Sequence, residues 1–94
     1  MPVLTVRLGW VPKYEDLVAR ILGGRSDASI PFEELCGLLR HLGFEERHRG
    51  SHHIFRRSGV EERINLQRDR KHAKVYQVRQ VRSVILRYKL GGNE

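Results

Sequence analysis

The chain reads PFEELCGLLRHLGFEERHRGSHHIFRR over residues 31–57, and this stretch decides the fold. Between residues 31 and 42 the apolar side chains recur at helical spacing, which predicts a helix with one buried face. Pro31 suits the first turn, where its missing N–H is not needed, and Gly43 is the predicted cap. Beyond Gly43 the helical spacing is lost, so an element of another kind must follow.

Short segments with turn residues between them follow this helix and predict antiparallel strands. We expect strands over residues 44–49, 52–57 and 60–66, with turns at residues 50–51 and 58–59. Successive side chains of a strand point to opposite faces of its sheet, so His52 and His53 should lie on opposite faces. If Ile54 packs beneath the helices, His53 and Phe55 face outward.

The remaining segments predict two further helices and a basic loop. We expect helices over residues 14–22 and 76–89, a basic loop over residues 67–75, and an extended segment or tail over residues 1–12. The predicted fold class is therefore α+β, with a three-stranded antiparallel sheet. The predicted division is an N-terminal extension with a short helix at residues 1–30, one domain at residues 31–90 and a tail at residues 91–94.

The charge of the chain is concentrated in its second half. Residues 1–43 hold five basic and five acidic side chains, whereas residues 44–94 hold thirteen and six, which accounts for the net charge of +7. A neutral half joined to a strongly basic half favours a polyanionic partner, and nucleic acid is the usual one. An acidic protein is the next candidate.

The cysteine count and hydropathy point to the cytoplasm. Cys36 is the only cysteine, so no disulfide can form within the chain, which fits a reducing compartment. The sequence has no apolar run long enough to span a membrane.

The densest group of candidate functional residues surrounds the turn at Gly50 and Ser51. Glycine permits a close backbone approach to a phosphate, and the serine hydroxyl can donate to one. His53 beside an aromatic residue and several arginines is a plausible place for an RNA strand, and Phe55 could stack on a base. The alternative interpretation of His53 is polar filler at the surface, and that of Phe55 is a core residue or a residue of a partner interface.

A metal site is a second interpretation of the same histidines. His48, His52 and His53 are clustered, and His72 could join them, but their spacing matches no standard zinc pattern. We therefore predict no metal site. The pairs Glu45/Glu46 and Glu61/Glu62 are interpreted as solvated strand charges.

Residues 32–90 resemble the HicA toxins of toxin–antitoxin pairs. The resemblance is carried by the helix FEELCGLL at residues 32–39, by LGF at residues 42–44, by GSHHIF at residues 50–55 and by VRQVRSVIL at residues 78–86. It implies a fold like the double-stranded RNA-binding domain, α-β-β-β-α, preceded here by the helical extension. It also implies an endoribonuclease that cleaves mRNA and inhibits translation, and that is neutralised by a HicB-type antitoxin. Many members carry a Pro, and shortly after it a His, at the end of the third strand, where this chain has Leu66-Gln67-Arg68-Asp69.

The resemblance places the essential histidine of the family on His53. An imidazole titrates near neutral pH, so His53 would act as general base or acid without a metal or a small-molecule cofactor. The candidate RNA contacts are Arg49, Gly50, Ser51, Phe55, Arg57, Lys71 and Lys74. The alternatives are a non-catalytic RNA-binding module of the same fold and a structural protein that uses its basic half to hold an acidic partner.

Overall fold

The computed structural model describes residues 12–91, which form a mixed α+β structure. The elements in chain order are α1 (Pro12–Gly23), a 3-10 turn (Asp27–Ser29), α2 (Phe32–His41), β1 (Glu45–Arg49), β2 (His52–Arg56), β3 (Ile64–Asp69), β4 (His72–Ala73) and α3 (Val75–Tyr88). This order confirms the predicted α+β class and the three predicted helices. The segment and tail predicted at the two termini lie outside the described residues, apart from Pro12 and Gly91.

Within residues 12–91 the sheet has four antiparallel strands in the order β1-β2-β3-β4, so the predicted three-stranded sheet was incomplete. The predicted basic loop contains the end of β3, a tight turn and β4. Arg70 adopts a left-handed backbone conformation in that turn, with φ of 60°. Arginine is an uncommon residue in that conformation, so no turn was predicted at this position. Residues outside the hairpin also hold β4, because the Ala73 N–H donates to the Ile30 carbonyl at 3.0 Å.

The third strand begins later than its imperfect alternation predicted. β3 starts at Ile64, and residues 60–63 form part of the connection instead. Tyr88 of α3 holds this connection, since its hydroxyl accepts from the Glu61 N–H at 3.1 Å and donates to Glu62 at 2.7 Å. Glu62 therefore has structural partners, contrary to its interpretation as a solvated strand charge.

The helices cover one face of the sheet, and the core lies between them. The core contains Phe55, Ile64 and Leu66 from the sheet, together with apolar residues of all three helices. Ile54 lies on the opposite, open face, so the assumption that it packs beneath the helices was wrong. The alternation itself holds, and it turns His53 and Phe55 toward the helices.

The helix that precedes the predicted domain shares this core. Leu17, Val18 and Ile21 of α1 are buried in the same cluster as the residues of α2 and α3. Arg82 of α3 adds a polar contact, since it donates to both carboxylate oxygens of Asp27 at 3.0 and 3.1 Å. These hydrogen bonds hold the pKa of Asp27 below its ordinary value, against the opposing effect of burial.

Candidate active site at the turn end of the sheet

His53 lies on the helix-facing side of β2, one residue from the strand's beginning, and keeps part of its ring accessible. Its side chain is 22% exposed, and it pairs across the sheet with His48 of β1 and Leu66 of β3. The prediction of an outward-facing ring was therefore wrong in direction. His52 lies on the other face and contacts Asn65 at 3.0 Å, which confirms that the two adjacent histidines are separated by the sheet.

Glu46 connects the polar groups around His53. One of its carboxylate oxygens, Oε2, accepts from His53 Nδ1 at 2.8 Å and from His48 Nε2 at 2.9 Å, and the other pairs with Arg40 of α2. Burial raises the pKa of Glu46, but the hydrogen bonds from His53, Arg40 and His48 outweigh burial and hold it below the ordinary value. The ionised carboxylate is only an acceptor, so His53 donates Nδ1–H, and Nε2 of the neutral ring remains the acceptor.

Aromatic and cationic side chains complete the walls around His53. The ring of Phe32, at the start of α2, meets the His53 ring edge to face, with centroids 4.9 Å apart. The guanidinium of Arg68 lies 4.7 Å from the centroid of the same Phe32 ring and pairs with Glu33. Arg68 thus places a positive charge against the ring that also contacts His53, and this arrangement was not predicted from the sequence.

Cys36 lies beneath the site on the buried face of α2. Its thiol is 1% exposed. A ligand atom from each of Cys36, Glu46 and His53 lies within 4.8 Å of the other two. Burial, with the Glu46 charge as a further cause, raises the pKa of Cys36 to about 12, so the thiol is protonated at neutral pH.

Most of the predicted RNA contacts gather at one end of the sheet. The turn between β1 and β2 carries Gly50, with φ of 57°, and Ser51. Gln67 donates to the Ser51 hydroxyl at 3.1 Å and accepts from the Lys74 ammonium at 3.3 Å, which links this turn to the start of α3. Because β3 runs antiparallel to β2, the β3–β4 turn with Lys71 lies at the same end, and so does Arg49, the last residue of β1.

Two of the predicted RNA contacts lie elsewhere. Phe55 is fully buried in the core, so its predicted role as a stacking platform was wrong. Arg57 follows the last residue of β2 and therefore lies at the end of the sheet opposite the Gly50 turn. Its guanidinium instead lies close to Gly43, in the turn that follows α2.

Glu46 was interpreted from the sequence as a solvated strand charge, and its role at this site was not predicted. The alternation of β1 was sufficient to place Glu46 and His48 on one face. The alternation could not predict how β1 is aligned with β2. This register places Glu46 opposite Phe55 and therefore diagonal to His53.

The sequence of this region matches the model of a known protein family. The model of the HicA toxin of bacterial toxin–antitoxin pairs matches residues 32–87, from the start of α2 almost to the end of α3. The chain belongs to the HicA toxin family. The match confirms the resemblance and includes His53 and each of the side chains described around it. No curated protein and no solved structure matches the chain.

Because the chain belongs to the HicA family, it is a toxin of the toxin–antitoxin kind. The general class of its partner is therefore an antitoxin. α1 precedes the part of the chain that the HicA model matches, although it contributes to the core. Within residues 12–91 no helix has both the length and the apolar character needed to cross a membrane.

Proposed function

We propose that this HicA toxin is an endoribonuclease that cleaves mRNA and thereby inhibits translation, with His53 as its general acid–base residue. The observation that carries the proposal is the 2.8 Å hydrogen bond between His53 Nδ1 and Glu46 Oε2, in a chain of this toxin family. A carboxylate that holds one nitrogen of an imidazole leaves the other free to exchange a proton with a substrate.

The proposed reaction begins with proton transfer from a ribose 2′-hydroxyl to Nε2 of His53. The 2′-oxygen bonds to the adjacent phosphorus while the bond from phosphorus to the 5′-oxygen of the next nucleotide breaks. Glu46 stabilises the imidazolium, which holds the proton that the leaving oxygen requires. No metal and no small-molecule cofactor takes part in these steps. A single acid–base residue contributes about 10²–10⁴-fold, so a slow enzyme is expected.

The proposed RNA surface is the turn end of the sheet. Arg49, Lys71 and Lys74 supply positive charge there, and Gly50 and Ser51 supply a turn that a phosphate can approach closely. Arg68 is added as a candidate for stabilising the charged transition state, because it packs on the Phe32 ring that also contacts His53. Phe55 is not proposed as an RNA contact, and Arg57 lies at the far end of the sheet.

The proposal extends to the fold type, the partner and the compartment. The succession of α2, an antiparallel sheet and α3, with both helices on one face, supports a fold like the double-stranded RNA-binding domain. The proposed partner besides mRNA is a HicB-type antitoxin that presents carboxylates to the basic end around His53. The unpaired cysteine supports a cytoplasmic location.

Cleavage of a labelled single-stranded RNA in EDTA tests the proposal, with His53→Ala and His52→Ala compared with the wild type. His52 is the matched control because it is the adjacent histidine on the opposite face of the same strand. We expect cleavage by the wild type and by His52→Ala, and a loss of about 10²-fold or more in His53→Ala. His53→Gln and a circular dichroism spectrum separate lost chemistry from lost folding.

The alternative is a non-catalytic RNA-binding module of the same fold. Salt-sensitive RNA binding that is the same in the wild type and in His53→Ala, without cleavage by either, would favour it. Cleavage that disappears on chelation would contradict the metal-independent reaction.

A further inference from the structure

We propose that Cys36, Glu46 and His53, completed by His48, form a binding site for Zn²⁺ that inhibits the toxin when it is occupied. The inhibition, unlike the binding, rests on the proposed function, because the cation would occupy the imidazole that performs the chemistry. The side chains come from three elements, α2, β1 and β2, that the core packs together.

The distances within the cluster are close to those that a zinc ion requires. Ligand atoms of Cys36, Glu46 and His53 lie within 4.8 Å of one another. In a tetrahedral site with zinc bonds of about 2.0–2.3 Å, ligand atoms lie about 3.5 Å apart. To admit an ion, the 2.8 Å contact between His53 and Glu46 would therefore lengthen by roughly 0.7 Å, and the distances to Cys36, which are at most 4.8 Å, would shorten by up to about 1.3 Å.

His48 is the candidate for the fourth ligand, although it lies outside the group whose ligand atoms are all within 4.8 Å of one another. Its Nε2 lies 2.9 Å from the same Glu46 oxygen that contacts His53, and the two imidazole rings are 4.1 Å apart between centroids. The His48 side chain is 60% exposed, so it has room to rotate toward an ion, in exchange for its hydrogen bond to Glu46. One thiolate, two imidazoles and one carboxylate match the preference of Zn²⁺, whereas Mg²⁺ and Ca²⁺ prefer oxygen ligands alone.

The buried thiol is the second observation that points to a ligand. Within residues 12–91 the Cys36 side chain has no hydrogen-bond partner, although it is 1% exposed and lies beside a carboxylate and an imidazole. Zn²⁺ would replace the thiol proton, so binding releases one proton to solvent. The charges of one thiolate and one carboxylate then balance the two positive charges of the ion.

Arg40 has two opposing effects on such a site. Its positive charge repels a cation, but it is bound to the Glu46 oxygen that is not shared with the imidazoles. It therefore keeps Oε2 directed toward His48 and His53. The Arg40 side chain is 50% exposed, so solvent screens its repulsion.

Co²⁺ titration of the full chain tests the site directly, because a tetrahedral cobalt–thiolate centre gives a charge-transfer band and intense visible bands. We expect these bands in the wild type, their displacement by Zn²⁺, and about one proton released per ion. Cys36→Ser should lose the charge-transfer band, and His48→Asn should bind Zn²⁺ about tenfold or more weakly. His52→Ala, which alters the other face of the sheet, should match the wild type.

Circular dichroism of each variant confirms that folding is retained. A wild type without the charge-transfer band, or an unchanged band in Cys36→Ser, would overturn the site.

RNA cleavage with added Zn²⁺ tests the inhibition separately. The Zn²⁺ concentration for half-inhibition should be about tenfold or more higher in Cys36→Ser than in the wild type, each measured against its own metal-free rate. If no variant cleaves RNA, the proposed function fails while the cobalt spectrum still decides the metal site. If the wild type cleaves RNA but gives no cobalt–thiolate band, the metal proposal alone fails.

Discussion

Glu46 and His53 lie diagonally across the β1–β2 pair and are joined by a 2.8 Å hydrogen bond between Oε2 and Nδ1. Both side chains are directed toward the helices, where they are 13% and 22% exposed. This partial burial shields the contact from water, while the ring of His53 remains accessible. A carboxylate in this position selects which nitrogen carries the proton of the neutral imidazole.

Glu46→Gln should therefore impair RNA cleavage while His53 remains present. An amide can either donate or accept, so it no longer fixes the protonation of Nδ1, and it does not stabilise an imidazolium by charge. We expect the rate constant of the chemical step to fall about 10- to 100-fold. Single-turnover cleavage of a labelled RNA measures this rate constant.

The matched control for this variant is Glu45→Gln. Glu45 is the preceding residue of the same strand, and it is exposed on the opposite face. Glu45→Gln should leave the rate constant unchanged. An equal loss in the two variants would show that the charge of β1 matters in general and that orientation of His53 does not.

Phe55→Leu should lower stability and leave RNA binding unchanged. Phe55 is fully buried, so the smaller side chain loses core contacts, and we expect the free energy of unfolding to fall by about 1–2 kcal/mol. Urea denaturation measures this cost, and RNA titration of the folded variant measures affinity. Tyr76→Leu, at a 64% exposed aromatic residue, is the control and should change stability little. Weaker RNA binding by Phe55→Leu at unchanged stability would restore the stacking role.

The sequence predicted the elements that depend on local pattern. The face of α2 that carries Phe32, Leu35 and Leu39 is buried as its spacing required. The alternation of β2 separated His52 from His53 correctly. The alternation did not show which face of β2 meets the helices. Ile54 and Phe55 are adjacent apolar residues on opposite faces, and the alternation alone cannot tell which of them is buried. Phe55 is buried because it lies opposite Ile64 in the core, and that pairing joins residues that are nine positions apart in the chain.

The contacts that the sequence could not give are long-range. Glu46 reaches His53 through the strand register, and Phe32 reaches it through the packing of α2 on the sheet. The hairpin that contains β4 is similarly held by backbone hydrogen bonds: the Ile30 carbonyl accepts from Ala73, and the Phe32 N–H donates to Lys71. Nothing in the sequence of residues 67–75 indicates hydrogen bonds to Ile30 and Phe32, so the segment was predicted to be a basic loop.

Ile21→Ala should destabilise the protein even though α1 precedes the part matched by the family model. Ile21 is fully buried in the core shared with α2 and α3, so truncation leaves a cavity. We expect a loss of about 2–5 kcal/mol, measured by urea denaturation. Leu22→Ala is the control, because the neighbouring side chain is 40% exposed and should cost less than about 0.5 kcal/mol. Equal costs at the two positions would mean that α1 is only loosely attached.

Lys71→Ala and Arg49→Ala should each weaken RNA binding through lost phosphate contacts. Both residues are exposed at the turn end of the sheet. Each substitution should reduce the slope of log affinity against log salt concentration by about 1. Fluorescence anisotropy with a short labelled RNA at several salt concentrations measures the slope. Arg57→Ala removes the same charge at the opposite end of the sheet, so an equal reduction there would contradict the proposed RNA surface.

Asp27→Asn should reduce stability at neutral pH, and its effect should shrink in acid. Arg82 binds the Asp27 carboxylate through two hydrogen bonds and holds its pKa below the ordinary value of 3.8. The carboxylate therefore contributes stability that is fully present above about pH 4 and is lost as pH falls through the lower folded-state pKa. Urea denaturation of the wild type and the variant at about pH 7 and about pH 3 measures the difference.

Asp16→Asn provides the control for this pH dependence, because Asp16 is exposed on α1 and lies outside the Arg82 contact. Removing its charge should change the free energy of unfolding little at either pH. The Asp27 contact joins the segment after α1 to α3, so its loss should loosen the packing of the helices and leave the turn end of the sheet intact. An Asp27→Asn effect of constant size across the pH range would mean that the contact stabilises by shape and not by charge.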